Sequence, residues 1–359
     1  MDRRALLKGA TVLGLSAVCP LAARTGPEAA YYDKLTGNRV QCRLCPHQCR
    51  VSDHQRGTCG VRENQGGTYR NLAYGQICAQ AVDPIEKKPF FHCLPGTTSY
   101  SISAAGCNFS CRFCQNWDIS QKRPEEVRSV SLSPAQVVRL ARAAGCRTVA
   151  HTYAEPVVAF EFVRDCALEG QRQGLANIMV SNGFIRPEPL RELCLLLKAI
   201  KIDLKSFRDE FYRTQCGGEL APVLESLRTV RRSGAWLEIV VLLLPGLNDS
   251  PTEIDDMCRW IVGELGPDVP LHFSRFFPNY LTRQLPPTPP QALESARQIA
   301  IRRGIHYVYL GNLLSDAEST RCPRCGGPLI ERVRFTATVT GLRQGHCSRC
   351  GAPIPGRWQ

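Results

Sequence analysis

Between residues 97 and 310, short apolar runs alternate with amphipathic stretches, and this alternation restricts the chain to a small group of folds. Seven runs read as strands, at 99–104, 148–151, 177–181, 199–204, 237–243, 271–276 and 307–310. Six helical stretches separate them, at 134–144, 157–173, 187–198, 221–233, 252–265 and 290–303. Several open on start signals such as Ser133-Pro134 and Ser250-Pro251. Strands that alternate with helices build a parallel sheet. The expected fold is therefore α/β, a partial (β/α)6 TIM-like barrel, since a full eight-unit barrel needs about 250 residues. In such folds the working residues lie at the C-terminal ends of the strands.

The regions on either side lack this alternation and are rich in cysteine. The expected layout is a leader over 1–24, a small N-terminal cysteine-rich metal module over 25–96, the barrel over 97–312 and a small C-terminal metal module over 313–359. The chain has 19 cysteines. A chain this long has no need of a disulfide framework for its stability, and eleven of the cysteines fall at metal-ligand spacings. The other eight (Cys19, Cys78, Cys93, Cys146, Cys166, Cys194, Cys216 and Cys258) stand singly, as small apolar residues commonly do.

The eleven form three groups. Cys107, Cys111 and Cys114 follow directly on the first barrel strand with C-x3-C-x2-C spacing. Three thiolates can hold three irons of a 4Fe–4S cube and leave the fourth iron open to an outside ligand. A structural zinc loop would instead call for four ligands. Cys42, Cys45, Cys49 and Cys59 offer four thiolates, and their spacing suits either zinc or a second iron–sulfur cluster. Cys322-x2-Cys325 and Cys347-x2-Cys350 have the spacing of a zinc ribbon, with Gly326 and Gly327 at one knuckle turn.

The net charge of +13 is uneven: the leader holds +3, the tail from Arg321 holds +6 and the long middle only +4. That distribution argues against a wholly basic surface for long nucleic acid, while a basic tail could touch RNA or an acidic partner. In the leader, Arg3 and Arg4 precede an apolar run that resembles a twin-arginine export signal.

The central trio, its place after the first strand and the strand–helix pattern resemble the radical S-adenosylmethionine (SAM) superfamily. More narrowly, the chain resembles the AmmeMemoRadiSam system radical SAM enzymes, which are related to pyruvate formate-lyase activating enzymes. The residues that carry this resemblance are Thr152 to Pro156, Ile202-Asp203-Leu204-Lys205, Pro245-Gly246-Leu247-Asn248-Asp249 and the two flanking cysteine modules. Phe276-Phe277-Pro278, Leu310-Gly311-Asn312 and the ending from Cys350 to Trp358 extend it over nearly the whole chain after the leader.

The resemblance implies a 4Fe–4S cluster on Cys107, Cys111 and Cys114 that cleaves SAM reductively, and a 5′-deoxyadenosyl radical that takes hydrogen from a macromolecular substrate. It sets Glu155 where relatives carry a Gly-Gly-Glu motif that receives the amino group of SAM. By itself, a strand-end Glu before a proline could equally cap the next helix. Ser181 and Asn182 end the third strand, within reach of the ribose or carboxylate of SAM, or else form a plain strand-to-helix turn. Asp203 and Lys205 face one side of an apolar strand, as ligand-binding groups or as a structural ion pair. His151, Glu238 and His272 also lie on strands, as cavity-lining groups or, each taken alone, as satisfied core polar groups.

Implied partners are SAM, a low-potential electron donor, a protein or RNA substrate and the other proteins of the AmmeMemoRadiSam system. Activation of a glycyl-radical enzyme is the alternative within the class. A non-catalytic iron–sulfur electron carrier and a zinc-dependent RNA-binding protein are the alternatives outside it. Oxygen-sensitive chemistry favours the cytoplasm, whereas a functional leader would imply a periplasmic or membrane-associated protein.

Overall fold

The structure is a computed structural model that describes residues 26–359. The leader and Cys19 lie outside the described residues. Seven parallel strands run in sequential order through the main sheet, as the alternation predicts: β2 (Thr98–Ser103), β3 (Thr148–His151), β4 (Ala176–Ser181), β5 (Ala199–Asp203), β6 (Trp236–Leu243), β7 (Leu271–Arg275) and β8 (Val308–Gly311). An eighth strand that the alternation does not reveal, β1 (Ala79–Pro84), pairs antiparallel with β2 and forms the opposite edge from β8. The sheet is open, with the six expected helices connecting its parallel strands: α1 (Pro134–Ala143), α2 (Phe160–Arg172), α3 (Pro187–Leu196), α4 (Leu220–Ser233), α5 (Pro251–Leu265) and α6 (Pro290–Arg302).

Local chemistry sets the helix starts. Ser133 Oγ accepts from Gln136 N at 3.3 Å while Gln136 Oε1 accepts from Ser133 N at 2.7 Å, a reciprocal capping box. Ser250 Oγ accepts from Glu253 N in the same way at the start of α5.

The segment after β1 fills the N-terminal end of the barrel. Ile85, Phe90, Cys93 and Leu94 pack on Ala150, Ile178 and Ala199 of three neighbouring strands. Buried Glu238 of β6 accepts from the backbone N–H groups of Phe91 and His92 at 2.9 and 2.8 Å, and pairs with His272 at 2.8 Å. His151 meets Asn177 at 3.0 Å. Glu238, His272 and His151 are therefore satisfied core groups.

The C-terminal module is a three-stranded antiparallel sheet (Thr320–Arg321, Pro328–Val333, Thr336–Val339) with a short hairpin, and it packs on Phe91, Tyr307 and Tyr309. The N-terminal module is two small antiparallel units, Tyr32–Leu35 with Arg39–Cys42 and Arg50–Val51, and the hairpin Arg62–Gln65 with Thr68–Asn71. Among the described residues no helix is long and apolar enough to cross a membrane.

Candidate active site

The loop that leaves β2 turns back over the C-terminal mouth of the barrel and presents Cys107, Cys111 and Cys114 to a cavity of about 300 Å³. The same cavity is lined by Glu155, Ser181, Asn182, Asp203 and Lys205. All eight residues singled out around the cofactor thus come together, although they come from the loops and ends of four different strands.

Hydrogen bonds fix the cysteine loop. Phe109 N donates to Cys107 Sγ at 3.3 Å, and Ser120 Oγ lies 3.2 Å from Cys114 Sγ. Ser110 N and Arg112 N donate to the carbonyls of Cys216 and Gln215 at 2.8 and 2.9 Å, so a π-helical turn (Tyr212–Cys216) backs the loop. That turn sets the buried Cys216 thiol against Cys111. Cys216 and the ammonium of Lys205 hold Cys111 below the usual thiol range, against the effect of burial. Phe113 is buried beside the trio.

Glu155 follows β3. One oxygen accepts from Ser181 Oγ at 2.7 Å and from Val157 N at 3.1 Å, the other from Asn182 N at 2.8 Å. Its carboxylate therefore caps the next helical turn and also borders the cavity, so the two readings of the residue coexist. Burial outweighs these hydrogen bonds and pushes its pKa up to about 7, with Asp203 adding to the rise. Asn182 also donates to Asn108 Oδ1 at 2.8 Å and approaches Cys107 Sγ at 3.8 Å, which ties the end of β4 to the cysteine loop.

Asp203 ends β5. Its Oδ2 accepts from Lys205 Nζ at 3.0 Å, and its Oδ1 lies 3.9 Å from Lys201 Nζ. Burial raises the Asp203 pKa, but the two ammonium groups outweigh burial and leave it below the usual range. Oδ1 is a buried acceptor without a hydrogen-bond partner. An orphaned carboxylate oxygen is costly, and one that faces a cavity suits a ligand with donor groups. The amino group and ribose of SAM supply such donors, and three thiolates suit a cluster with one open iron, so these residues fit both groups. Lys201, which sequence reasoning missed, lines the cavity as well, and burial lowers its pKa to about 8. The signal was present: residues 201, 203 and 205 share one face of a strand.

The two outer cysteine groups differ in geometry. In the C-terminal group, Cys322 Sγ lies 3.6 Å from Cys350 Sγ, and Cys325 Sγ lies 3.7 Å from Cys347 Sγ. All four sulfurs are within 4.8 Å of one another. Four thiolates around one zinc at about 2.3 Å stand about 3.8 Å apart. Cys42, Cys45, Cys49 and Cys59 gather beside Tyr69 and the buried Arg62, whose guanidinium is held by both Glu161 oxygens at 2.7 Å.

The model of the radical SAM superfamily matches residues 101–261, from β2 into α5. The uncharacterized protein MJ0808 of Methanocaldococcus jannaschii is 41% identical over 330 residues, which cover 91% of this chain and 98% of that protein. The chain belongs to the radical SAM superfamily. A more distant similarity is to the pyruvate formate-lyase 1-activating enzyme of Escherichia coli, 25% identical over 169 residues, 46% of this chain and 66% of that one. Among solved structures, a radical SAM methyltransferase from Sphaerobacter thermophilus superposes with a TM-score of 0.49 at 16% identity, over 60% of this chain and 66% of that one. This radical SAM enzyme thus has a relative that matches it over nearly its full length.

Proposed function

We propose that this radical SAM enzyme cleaves SAM at a 4Fe–4S cluster on Cys107, Cys111 and Cys114 and removes hydrogen from a macromolecular substrate. The observation that carries the reading is the convergence of the trio, Glu155 and Asp203, whose Oδ1 makes no hydrogen bond, on one cavity. When bound, the cluster and SAM supply one-electron cleavage of a carbon–sulfur bond and a 5′-deoxyadenosyl radical.

The chain's own residues orient and shield that chemistry. Glu155 and Asp203 offer carboxylate oxygens to the amino and hydroxyl groups of SAM, and Lys205 holds Asp203 ionised. Ser181 and Asn182 fix Glu155 and the cysteine loop to each other. Phe113 and Val240 keep water from part of the cavity wall. A large substrate is favoured by the filling of the barrel's lower half by residues 85–94 and by the exposed Phe277, Leu281 and Leu314 on the loops after β7 and β8.

The sulfur spacing supports zinc in the C-terminal ribbon, as a structural staple. The motif residues from Thr152 to Pro156 and the flanking modules support the finer placement among AmmeMemoRadiSam system enzymes, with that system's other proteins as partners. Its chemistry favours a cytoplasmic location, and fractionation of the native protein tests this. The E. coli relative favours a second reading, activation of a glycyl-radical enzyme, tested by looking for a glycine-centred radical in a co-incubated partner.

The decisive experiment is anaerobic reconstitution followed by dithionite and SAM. Production of 5′-deoxyadenosine that is lost in the C107A/C111A/C114A protein supports the proposal. An intact cluster without turnover refutes it.

A further inference from the structure

Two contacts on opposite sides join the N-terminal cysteine segment to the loop that carries the central trio. His47, two residues beyond Cys45, places Nε2 2.7 Å from the carbonyl oxygen of Asn108, the residue after Cys107. Its ring stands edge-on to Phe184 with centroids 5.0 Å apart, and the Phe184 carbonyl accepts from Asn108 Nδ2 at 2.7 Å. On the other side, Gly106 approaches Cys59 so closely that a Cβ there would lie 2.9 Å from the Cys59 carbonyl oxygen. With φ at +97° as well, the position suits glycine alone. Cys59 and Cys107 line a common cavity of about 550 Å³.

The four N-terminal thiols share one site. Cys42 N donates to the Cys49 carbonyl at 2.9 Å, and Thr58, next to Cys59, donates its N–H to Cys49 Sγ at 3.4 Å. The Cys45 thiol is pushed up by burial and then by the nearby sulfurs of Cys42, Cys59 and Cys49. Arg62, itself buried, sets a positive charge beside Cys42 and Cys59. Yet no three of these sulfurs lie within 4.8 Å of one another, whereas the C-terminal four do. Thiolates bound to a single zinc at about 2.3 Å can be no more than about 4.6 Å apart. A polynuclear cluster gives each thiolate its own iron and accommodates a wider set.

We propose that Cys42, Cys45, Cys49 and Cys59 hold a second 4Fe–4S cluster, which relays electrons through His47 and Asn108 to the cluster on Cys107, Cys111 and Cys114. The relay rests on the radical SAM reading of the trio. A low-potential one-electron carrier gives up one electron, the N-terminal cluster is reduced and then reoxidised, and the catalytic cluster gains the electron that SAM cleavage consumes. Four thiolates leave no iron open, so this cluster transfers electrons without binding SAM. Arg62 favours its more negative, reduced state.

The test uses the full-length chain, reconstituted anaerobically. Wild type is expected to bind about eight irons and the C107A/C111A/C114A protein about four, with a paramagnetic signal on dithionite reduction but no SAM cleavage. A trio variant that binds no iron, or a single zinc in the N-terminal group, overturns the second cluster. H47A is expected to keep about eight irons while its catalytic cluster is reduced more slowly than in wild type. Reduction as fast as wild type in an iron-replete H47A protein overturns the relay. Iron in the trio variant is read without any turnover. Wild type that holds eight irons yet never cleaves SAM would thus refute the catalytic reading while supporting the second cluster.

Discussion

Lys205 Nζ lies 3.0 Å from Asp203 Oδ2, while the other Asp203 oxygen is buried 3.9 Å from Lys201 Nζ without a hydrogen-bond partner. A buried ion pair is costly to desolvate and contributes little stability by itself. Here the pair keeps an acceptor ionised on a residue that lines the same cavity as the cysteine trio.

D203N keeps the size of the side chain but removes its charge, leaving Lys201 and Lys205 facing each other. SAM affinity is expected to fall at least tenfold, about 1.4 kcal/mol or more, with the iron content unchanged. Equilibrium binding of SAM to the reconstituted protein checks this, and undiminished affinity would remove Asp203 from the binding site.

Glu155 gives the site a pH dependence. Its folded pKa of about 7 is above the ordinary glutamate value of 4.5, so between these values the folded chain holds a proton that the unfolded chain has lost. Stability from this group is therefore full at low pH and declines as pH rises through about 7. Binding of a SAM ammonium favours the ionised carboxylate and should strengthen over the same rise. E155Q is expected to flatten both profiles, as read by thermal melts and SAM titrations at several pH values. A wild-type melting profile level across neutrality would count against a buried carboxyl with this shift.

The central trio and the seven parallel strands were legible because their signals are local: a fixed cysteine spacing and a repeating apolar period. What was not legible depends on distant contacts. Nothing around residues 79–84 marks an edge strand, because that strand exists only by pairing with β2. Cys216 looked like one more lone apolar cysteine until a π-helical turn set it against Cys111. Lys201 is readable by the two-residue period that sets it on the same face as Asp203 and Lys205. The role of His47 could not be read, because its partner carbonyl lies 61 residues away.

The C-terminal quartet makes a prediction about metal and stability together. Its sulfur pairs at 3.6 and 3.7 Å sit over Phe91, Tyr307 and Tyr309, where the module meets the end of the barrel sheet. C350S should lose one zinc per chain and lower the melting temperature by several degrees, with the iron content unchanged. Elemental analysis alongside calorimetry checks this. Iron in place of zinc there would contradict the mononuclear geometry.

The ion pair of Arg62 and Glu161 tests whether the N-terminal module and the barrel are one cooperative unit. Arg62 comes from the hairpin that follows Cys59 and Glu161 from the first turn of α2, and both are almost fully buried. Glu161 also accepts from Asn71 Nδ2 at 2.5 Å and Ala30 N at 2.8 Å, so one carboxylate gathers both strands of the hairpin and the segment before the first strand of the module. Removing it strands a buried guanidinium, which costs about 3–5 kcal/mol. E161A is thus expected to lose about that much in urea unfolding, and E161Q, which keeps one acceptor oxygen, less. If the module folds independently, E161A should instead leave the main unfolding transition in place and add a separate early one. That outcome would also weaken the route from the N-terminal cysteines to Cys107, since His47 needs the module seated on the barrel to reach Asn108.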